Sequence, residues 1–135
     1  MSASWALQQA VFATLSSDGG VQALLGATPR IYDAVPRESA FPYAVIGDGT
    51  ESDWSTATES GSEHQLAIHV WSRASGHMEA KEIAEAIRDA LDGASLSITG
   101  QTLIGIRYLD TDHARESDGE TYRASLRFRA VLEPG

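Results

Sequence analysis

The chain has 135 residues, of which 42% are hydrophobic and 21% charged, a composition typical of one soluble globular domain rather than a disordered segment. Its net charge of -9 disfavours sequence-independent binding of DNA or RNA by the whole surface, because an acidic chain repels phosphate backbones. The absence of cysteine excludes disulfides and thiolate metal sites. No apolar run approaches the roughly 18 residues of a membrane helix, and the N-terminus carries no basic leader, so a cytoplasmic chain is predicted.

The first element predicted is a helix over residues 2–20. Its apolar residues Leu7, Val11 and Leu15 recur at i, i+4 and i+8, which is the spacing of one helix face. Residues 21–27 are predicted to form one or two short turns. The predicted caps are Ser2 or Ser4 for the helix and Asp18 for the turns, and Gly19-Gly20 are predicted to stop the helix.

Two strands and a polar segment are predicted next. Residues 30–35, RIYDAV, predict a short strand that Pro36 ends. Pro42 opens a second strand over residues 43–47, a position where proline is tolerated. Residues 48–61 are polar and rich in serine, threonine and glycine, so we expect a loop or a flexible hairpin tip there.

The middle of the chain predicts a half-buried strand and then a helix. Apolar and polar residues alternate over residues 63–73, as they do in a strand with one buried face. Residues 75–93 predict an amphipathic helix that Ser75 caps and Gly93 closes. The predicted buried residues are Leu66, Ile68 and Val70 in the strand and Ala80, Ile83, Ala84, Ile87 and Leu91 in the helix.

Three strands are predicted in the last third of the chain: residues 95–100, 102–114 and 121–133. Between the last two, residues 115–120 predict a hairpin tip with Asp118-Gly119 as the turn. The last strand alternates cleanly between two faces. One face is predicted to carry Ala124, Leu126, Phe128 and Ala130, and the other Arg123, Ser125, Arg127 and Arg129.

The predicted order is helix, three strands, helix, three strands, in a single domain over residues 1–135. Consecutive strands lie close enough in sequence to form hairpins, so we predict an α+β fold with a mainly antiparallel sheet and two helices packed on one face. The other sheet face carries arginines, a histidine and Trp71. A neighbouring subunit is the economical candidate for covering that face.

The segment FPYAVIGDGTESDW, residues 41–54, has an apolar strand that leads into Gly47-Asp48-Gly49, as a nucleotide-binding loop does. A dinucleotide fingerprint needs a third glycine three residues later and then a helix. Ser52 stands at that position, no helical pattern follows, and the acids of the segment repel phosphate. We therefore expect Gly47 and Gly49 to lie at a strand end and a turn, and no cofactor is predicted.

A metal site is the alternative chemistry. Asp110, Asp112 and His113 offer two carboxylates and an imidazole, which could bind a divalent ion in a small metal-dependent enzyme. In a strand, however, the two aspartates point to one face and His113 to the other. His64 and His69 are five residues apart and therefore also point to opposite faces. Polar residues at a strand end near a hairpin tip explain the set equally well, and no serine has the surroundings of a nucleophile.

Three guanidinium groups on one strand face, those of Arg123, Arg127 and Arg129, could bind carboxylates of a partner or the phosphates of a nucleic acid. An ordinary solvated sheet face is the other interpretation. Residues 48–63 hold five acids and no base and form the complementary surface. One subunit's acidic segment could contact the next subunit's arginines, a heterologous contact that closes into a ring if the rotation fits. The predicted interface residues are Arg123, Arg127, Arg129, Asp48, Glu51, Asp53 and Trp54, with Trp54 either an anchor on a partner or folded back on its own domain.

Several of these segments together resemble the tail-completion, or tail terminator, proteins of long-tailed phages, with related copies in phage-like gene transfer agents. The resemblance covers nearly the whole chain, and its pieces occur in order and at fitting spacing. They are Ile31-Tyr32, Pro42 to Gly47, Val70-Trp71-Ser72, Gly76, Glu79 and Ala90-Leu91.

The resemblance implies a structural protein and not an enzyme. Proteins of this family form a homo-hexameric ring at the head-proximal end of the tail tube, where the ring ends tube polymerisation and meets the head-completion (stopper) proteins. DNA passes through the bore without specific binding. The implied partners are further copies of this chain, the tail tube protein and the stopper protein, with no membrane. The implied location is the head–tail junction of a virion or phage-like particle, with assembly in the host cytoplasm.

Overall fold

The computed structural model describes residues 1–135 and contains three helices and one five-stranded sheet, which confirms the predicted α+β fold. The strand order is β1-β2-β3-β5-β4, and every neighbouring pair is antiparallel except the short parallel pair of β1 and β2. None of the helices is long and apolar enough to cross a membrane. The elements are α1 (Ala3–Ser17), α2 (Gly19–Leu25), β1 (Ile31–Tyr32), β2 (Tyr43–Asp53), β3 (Ser62–Ser72), α3 (Met78–Leu91), β4 (Gln101–Arg115) and β5 (Tyr122–Pro134).

The first predicted helix is two helices joined at Asp18. Ser2 caps α1, as predicted, and its Oγ accepts a hydrogen bond from the Trp5 N–H at 3.0 Å. The prediction that Gly19-Gly20 stop this helix is wrong. Helix α1 ends at Ser17 because Asp18 is extended, and the Asp18 carboxylate then accepts from the Val21 N–H at 3.0 Å and starts α2.

Helix α3 has the predicted apolar stripe, and all five of its residues are buried. The predicted cap is wrong, because Ser75 has a φ of 60° and His77 occupies the cap position without a side-chain hydrogen bond to the helix. Ser72, at the end of β3, holds the start of α3 instead. Its hydroxyl donates to the Glu79 carboxylate at 2.7 Å and accepts from the Ala74 N–H at 3.2 Å.

Residues 48–53 belong to a strand and not to the predicted loop. Strand β2 runs on from Tyr43 to Asp53 and pairs with β3 along its whole length, apart from a bulge between Ile46 and Asp48. Gly47, with a φ of 140°, is the extra residue of that bulge. The bulge lets a polar segment without alternation continue the ladder, so β2 and β3 form one long hairpin whose tip lies between Asp53 and Ser62.

Residues 95–100 do not form the predicted strand, so two strands follow α3 instead of three. This segment makes a single bridge between Ile98 and Gln101, which closes a tight turn at Gly100, where φ is 75°. The hairpin tip between β4 and β5 is where Asp118-Gly119 predicted it.

The core lies between the helices and the inner face of the sheet. The central strands β3 and β5 supply its fully buried centre, including Ile68, Leu126 and Phe128. The outer face of the sheet, which points away from the helices, carries no covering element. The alternation in β5 places Arg123, Arg127 and Arg129 on this outer face, as predicted.

Candidate interaction surface

The three arginines of β5 are each paired with a carboxylate of their own chain. The Arg127 Nε donates to Asp110 at 2.9 Å, and its Nη2 forms a second hydrogen bond with the same carboxylate. The remaining partners, given by the shortest distance, are Glu63 for Arg129 at 2.7 Å and Glu116 for Arg123 at 2.7 Å. Glu63 belongs to the acidic residues 48–63, so Arg129 meets that segment within its own chain, whereas Asp110 and Glu116 lie outside it. That the arginines contact a partner stays a prediction, and such a partner would have to compete with existing ion pairs.

The Arg127–Asp110 pair has an electrostatic consequence. The hydrogen bond from Arg127 lowers the pKa of Asp110 below its usual value, and the same bond raises the pKa of Arg127. Both side chains are half exposed to solvent. Water therefore screens the pair, and it orders the outer face more than it stabilises the fold.

A hydrogen-bonded chain crosses the outer face from β2 to the end of β4. The Asp48 carboxylate contacts His69 Nε2 at 2.8 Å, and His69 Nδ1 contacts Ser125 Oγ at 2.7 Å. Ser125 Oγ also accepts from Arg123 Nη1 at 2.6 Å, and Arg123 Nε donates to Glu116 at 2.7 Å. Asp48, predicted to meet a partner, is thus engaged within its own chain. His69 and Ser125 are absent from the sequence-based site because only the pairing of β3 with β5 brings them together.

The order carboxylate, imidazole, hydroxyl is that of a hydrolase triad, but the surroundings of Ser125 differ from those of a nucleophile. Its Oγ accepts a hydrogen bond from a guanidinium group, which draws electron density away from the oxygen. Strand β5 is paired on both sides, so its backbone N–H groups serve the ladder and cannot bind an oxyanion. The arrangement can tie four strands together, and it lacks the parts that acyl transfer needs.

The alternative metal site does not assemble. Asp110 and Asp112 pair with Arg127 and Ser125 on the outer face, whereas His113 pairs with Ala124 and points to the inner face near α3. Partial burial and the nearby Lys81 lower the pKa of His113. No group of three histidine, aspartate or glutamate side chains is placed to hold a metal ion. His64 and His69 also point to opposite faces, and burial lowers the pKa of His64.

The glycines of Gly47-Asp48-Gly49 serve the β2–β3 ladder. A Cβ at Gly49 would lie 2.2 Å from the backbone oxygen of Gln65, so only glycine allows this close approach of the two strands. A Cβ at Gly47 would lie 3.1 Å from the Asp33 carboxylate. The prediction of a strand end and turn is wrong in its geometry, since the strand continues, while the glycines still have a backbone role rather than a phosphate-binding one.

Trp54 begins the tip of the β2–β3 hairpin and is 49% exposed. The backbone N–H of Trp54 donates to the Gly61 carbonyl oxygen at 3.0 Å, and the indole ring packs against the Gly61 backbone. Asp53 accepts from the Ser55 hydroxyl at 2.6 Å, and the Thr56 N–H donates to the Glu59 oxygen at 2.8 Å. The tip is therefore a hydrogen-bonded turn that presents about half of the indole to solvent.

An apolar groove of 380 Å³ lies between α1 and β1 at one edge of the sheet. Trp5 and Phe12, which are 44% and 45% exposed, form its helix side, and Tyr32 and Asp33 form its strand side. The sequence analysis did not find this groove. The i, i+7 spacing of Trp5 and Phe12, on the side of α1 away from Leu7 and Leu15, is the signal that could have indicated it.

The opposite edge of the sheet carries a second exposed surface on β4. Two bulges interrupt the pairing of this strand with β5, and the bulged residues are Ile104 and Leu109. They are 51% and 40% exposed and are the large exposed apolar side chains of β4. Arg107 lies between them on the outer face, opposite Arg129.

These features define an α+β domain whose candidate site is a set of protein-contact surfaces. The model of the family "Tail completion protein gp17" matches residues 9–133. The chain belongs to this family.

Relatives and solved structures support the assignment. The chain is 26% identical over 130 residues to the tail completion protein gp17 of Bacillus phage SPP1, which covers 96% of this chain and 94% of that protein. The structure of the present chain is similar to a chain in the virion of a native gene transfer agent particle, with a TM-score of 0.90 and 34% identity over 98% of both chains. The structure of SPP1 gp17 has the same fold, with a TM-score of 0.61 and 24% identity over 95% of this chain and 89% of that one.

Proposed function

We propose that this protein is a structural, non-catalytic component of a phage-like particle that completes the tail. In this proposal it forms a homo-hexameric ring at the head-proximal end of the tail tube. The ring ends tube polymerisation and joins the tail to the head-completion (stopper) protein. The observation that carries the proposal is the end-to-end similarity, at a TM-score of 0.90, to a chain of the gene transfer agent virion.

The surfaces of the molecule favour contacts with proteins over chemistry on a small molecule. The conspicuous polar residues of the outer face already satisfy one another in ion pairs and hydrogen bonds. Five exposed aromatic and aliphatic side chains, Trp5, Phe12, Trp54, Ile104 and Leu109, instead lie at the two sheet edges and at the hairpin tip. Apolar anchors on an otherwise polar surface are the usual centres of protein interfaces. Glu51 and Asp53, at the end of β2, and Trp54, at the hairpin tip, are proposed to contact the tail tube or the stopper protein.

The charge of the chain suits a ring that DNA traverses. A ring of acidic subunits with a net charge of -9 each would repel the phosphate backbone and let DNA slide without sticking. The particle is proposed to hold the protein at the head–tail junction, after assembly in the host cytoplasm.

Deleting the gene from the particle-producing strain tests the proposal. Electron microscopy should then show filled heads without joined tails, and tails of irregular length, because nothing ends the tube or presents a surface to the stopper. Expression of the wild-type chain in trans should restore joined particles of uniform tail length. Normal joined particles in the deletion strain would contradict the proposal. Tails of irregular length that are still joined to heads would support the role in ending the tube and contradict the role in joining the head.

A further inference from the structure

Two exposed surfaces of this chain lie at opposite ends of the sheet. The groove surface, defined as Trp5, Phe12, Tyr32 and Asp33, lies beside β1. The β4 edge surface, defined as Ile104, Arg107 and Leu109, lies on the last strand of the order β1-β2-β3-β5-β4. Three strands separate the two surfaces, so a single copy cannot bring them into contact.

The groove surface has the composition of an interface core. Residues 1–17 contain no charged side chain, and α1 exposes an indole and a phenyl ring on its outward side. Charge depletion together with exposed aromatic residues distinguishes interface cores from ordinary protein surface. The one carboxylate of this surface, that of Asp33, is in no ion pair and accepts a hydrogen bond from Gln8 Nε2 at 2.9 Å.

The β4 edge surface offers the complementary groups. Ile104 and Leu109, the bulged residues of β4, supply exposed aliphatic side chains. Of the arginines on the outer face, only Arg107 has no carboxylate partner, whereas Arg123, Arg127 and Arg129 are each paired within the chain. A guanidinium group can bind a carboxylate and stack on an indole, and Asp33 and Trp5 provide one of each.

Two backbone hydrogen-bonding groups at the free edge of β4 already have partners within the chain. This determines whether a neighbouring copy can contact β4 through its backbone or through its side chains. The Gly93 N–H donates to the Ile106 oxygen at 2.9 Å, and the Asp92 carboxylate accepts from the Tyr108 N–H at 2.8 Å. A neighbouring strand therefore cannot extend the sheet through the middle of β4. The contact must be made by side chains, and the exposed side chains there are Ile104, Arg107 and Leu109.

We propose that the β4 edge surface of one copy of this protein docks into the groove surface of the next copy. Ile104 and Leu109 pack against Trp5 and Phe12, and Arg107 pairs with Asp33. A second copy is the occupant because both complementary halves are present on one chain at opposite edges, which is the arrangement of a heterologous, head-to-tail contact. The inference rests on the proposed ring and names the surfaces that form it.

The absence of natural cysteine allows a direct test by cross-linking. The single variants Phe12→Cys and Leu109→Cys are purified and oxidised separately and as a 1:1 mixture at high protein concentration. The mixture should give a covalent dimer and nothing larger, and each variant alone should give none. The double variant should give a ladder of covalent oligomers. Met78→Cys is the matched control, because Met78 is exposed on α3 and lies on neither surface, and it should form no dimer with Phe12→Cys.

A charge exchange provides a second test. Arg107→Asp or Asp33→Arg alone should weaken assembly of the wild-type chain about tenfold, which corresponds to about 1.4 kcal/mol. The double variant should recover most of this loss, and mass photometry measures it.

The outcomes separate this contact from the ring itself. If wild-type rings form, in solution or on tail tubes, while the cysteine mixture gives no dimer or dimerises as well with Met78→Cys, the ring stands and these surfaces are the wrong ones. A covalent dimer of Phe12→Cys alone would indicate a self-complementary contact and would overturn the head-to-tail arrangement. A wild-type chain that forms no ring under any of these conditions overturns both the contact and the ring.

Discussion

Arg127 and Asp110 face each other across β5 and β4, and the guanidinium group binds both oxygens of the carboxylate. Reversing one charge of this pair places two carboxylates opposite each other. Arg127→Glu should therefore lower the melting temperature and weaken ring assembly. The exchange variant Asp110→Arg, Arg127→Asp should restore both. Melting is measured by circular dichroism and assembly by mass photometry. If the exchange restores melting but not assembly, Arg127 contacts a partner, as the sequence analysis predicted.

Gly49→Ala tests the close approach of β2 to β3. The added methyl group would lie 2.2 Å from the Gln65 backbone oxygen, so the strands must separate locally. Forced overpacking of this kind typically costs about 1–3 kcal/mol, and urea unfolding should show a loss of stability in this range. Gly105→Ala, also in a strand and with nothing near its Cβ position, is the matched control and should change stability little. Equal unfolding midpoints for the two variants would contradict the proposed role of Gly49.

Asp118 gives the fold a defined sensitivity to acid. Hydrogen bonds from the Thr121 hydroxyl and from the N–H groups of Glu120 and Thr121 lower the pKa of Asp118 from 3.8 to about 2. Because the folded pKa lies below the unfolded one, the stability that this carboxylate contributes is complete above about pH 4 and is lost as the pH falls towards 2.

Asp118→Asn should therefore lower the melting temperature at pH 7 and flatten its dependence on pH between 4 and 2. The asparagine amide keeps one acceptor but cannot accept from both the backbone and the Thr121 hydroxyl in the same way. Asp89→Asn, on the exposed side of α3, is the control and should leave the pH dependence unchanged. If the melting temperature of the Asp118→Asn variant depends on pH as strongly as that of the wild type, other carboxylates cause the acid sensitivity.

Trp54→Ala tests the hairpin tip as a contact. The indole is half exposed, contacts the Gly61 backbone and is not part of the hydrophobic core, so its removal should leave the melting temperature nearly unchanged. Electron microscopy of particles complemented with the variant should show fewer tails joined to heads. Met78→Ala removes a more exposed side chain from α3 and should not affect joining. Normal joining with Trp54→Ala would leave the indole without a partner role.

The parts of this fold that follow from local pattern were predictable, and those that depend on register were not. The alternation in β5 predicted the buried residues Ala124, Leu126, Phe128 and Ala130 and placed the arginines on the outer face correctly, although Ser125 on that outer face is buried as well. It could not predict that Asp110, Glu63 and Glu116 would meet them, because these partners come from other segments of the chain. The chain of contacts through His69 and Ser125 depends likewise on the pairing of β3 with β5.

The largest error in the sequence analysis concerns residues 48–53. Their polarity and glycines indicated a loop, yet they form a strand because bulging at Gly47 and the missing Cβ of Gly49 let this segment stay paired to β3. Composition alone does not distinguish an exposed hairpin arm from a loop, since both are polar.

The groove beside α1 was missed for a related reason, because helix periodicity was used to find the buried stripe and the residues opposite were not considered.

The occupied backbone of β4 has a consequence for the free protein before assembly. A long edge strand with exposed apolar residues is the usual starting point for self-templated fibres, in which each chain adds its strand to the last without limit. By using the Ile106 oxygen and the Tyr108 N–H, the end of α3 removes the hydrogen-bonding groups that such stacking requires at the centre of the edge. The occupied backbone therefore disfavours stacking of free copies through β4, while the side chains of Ile104, Arg107 and Leu109 stay exposed.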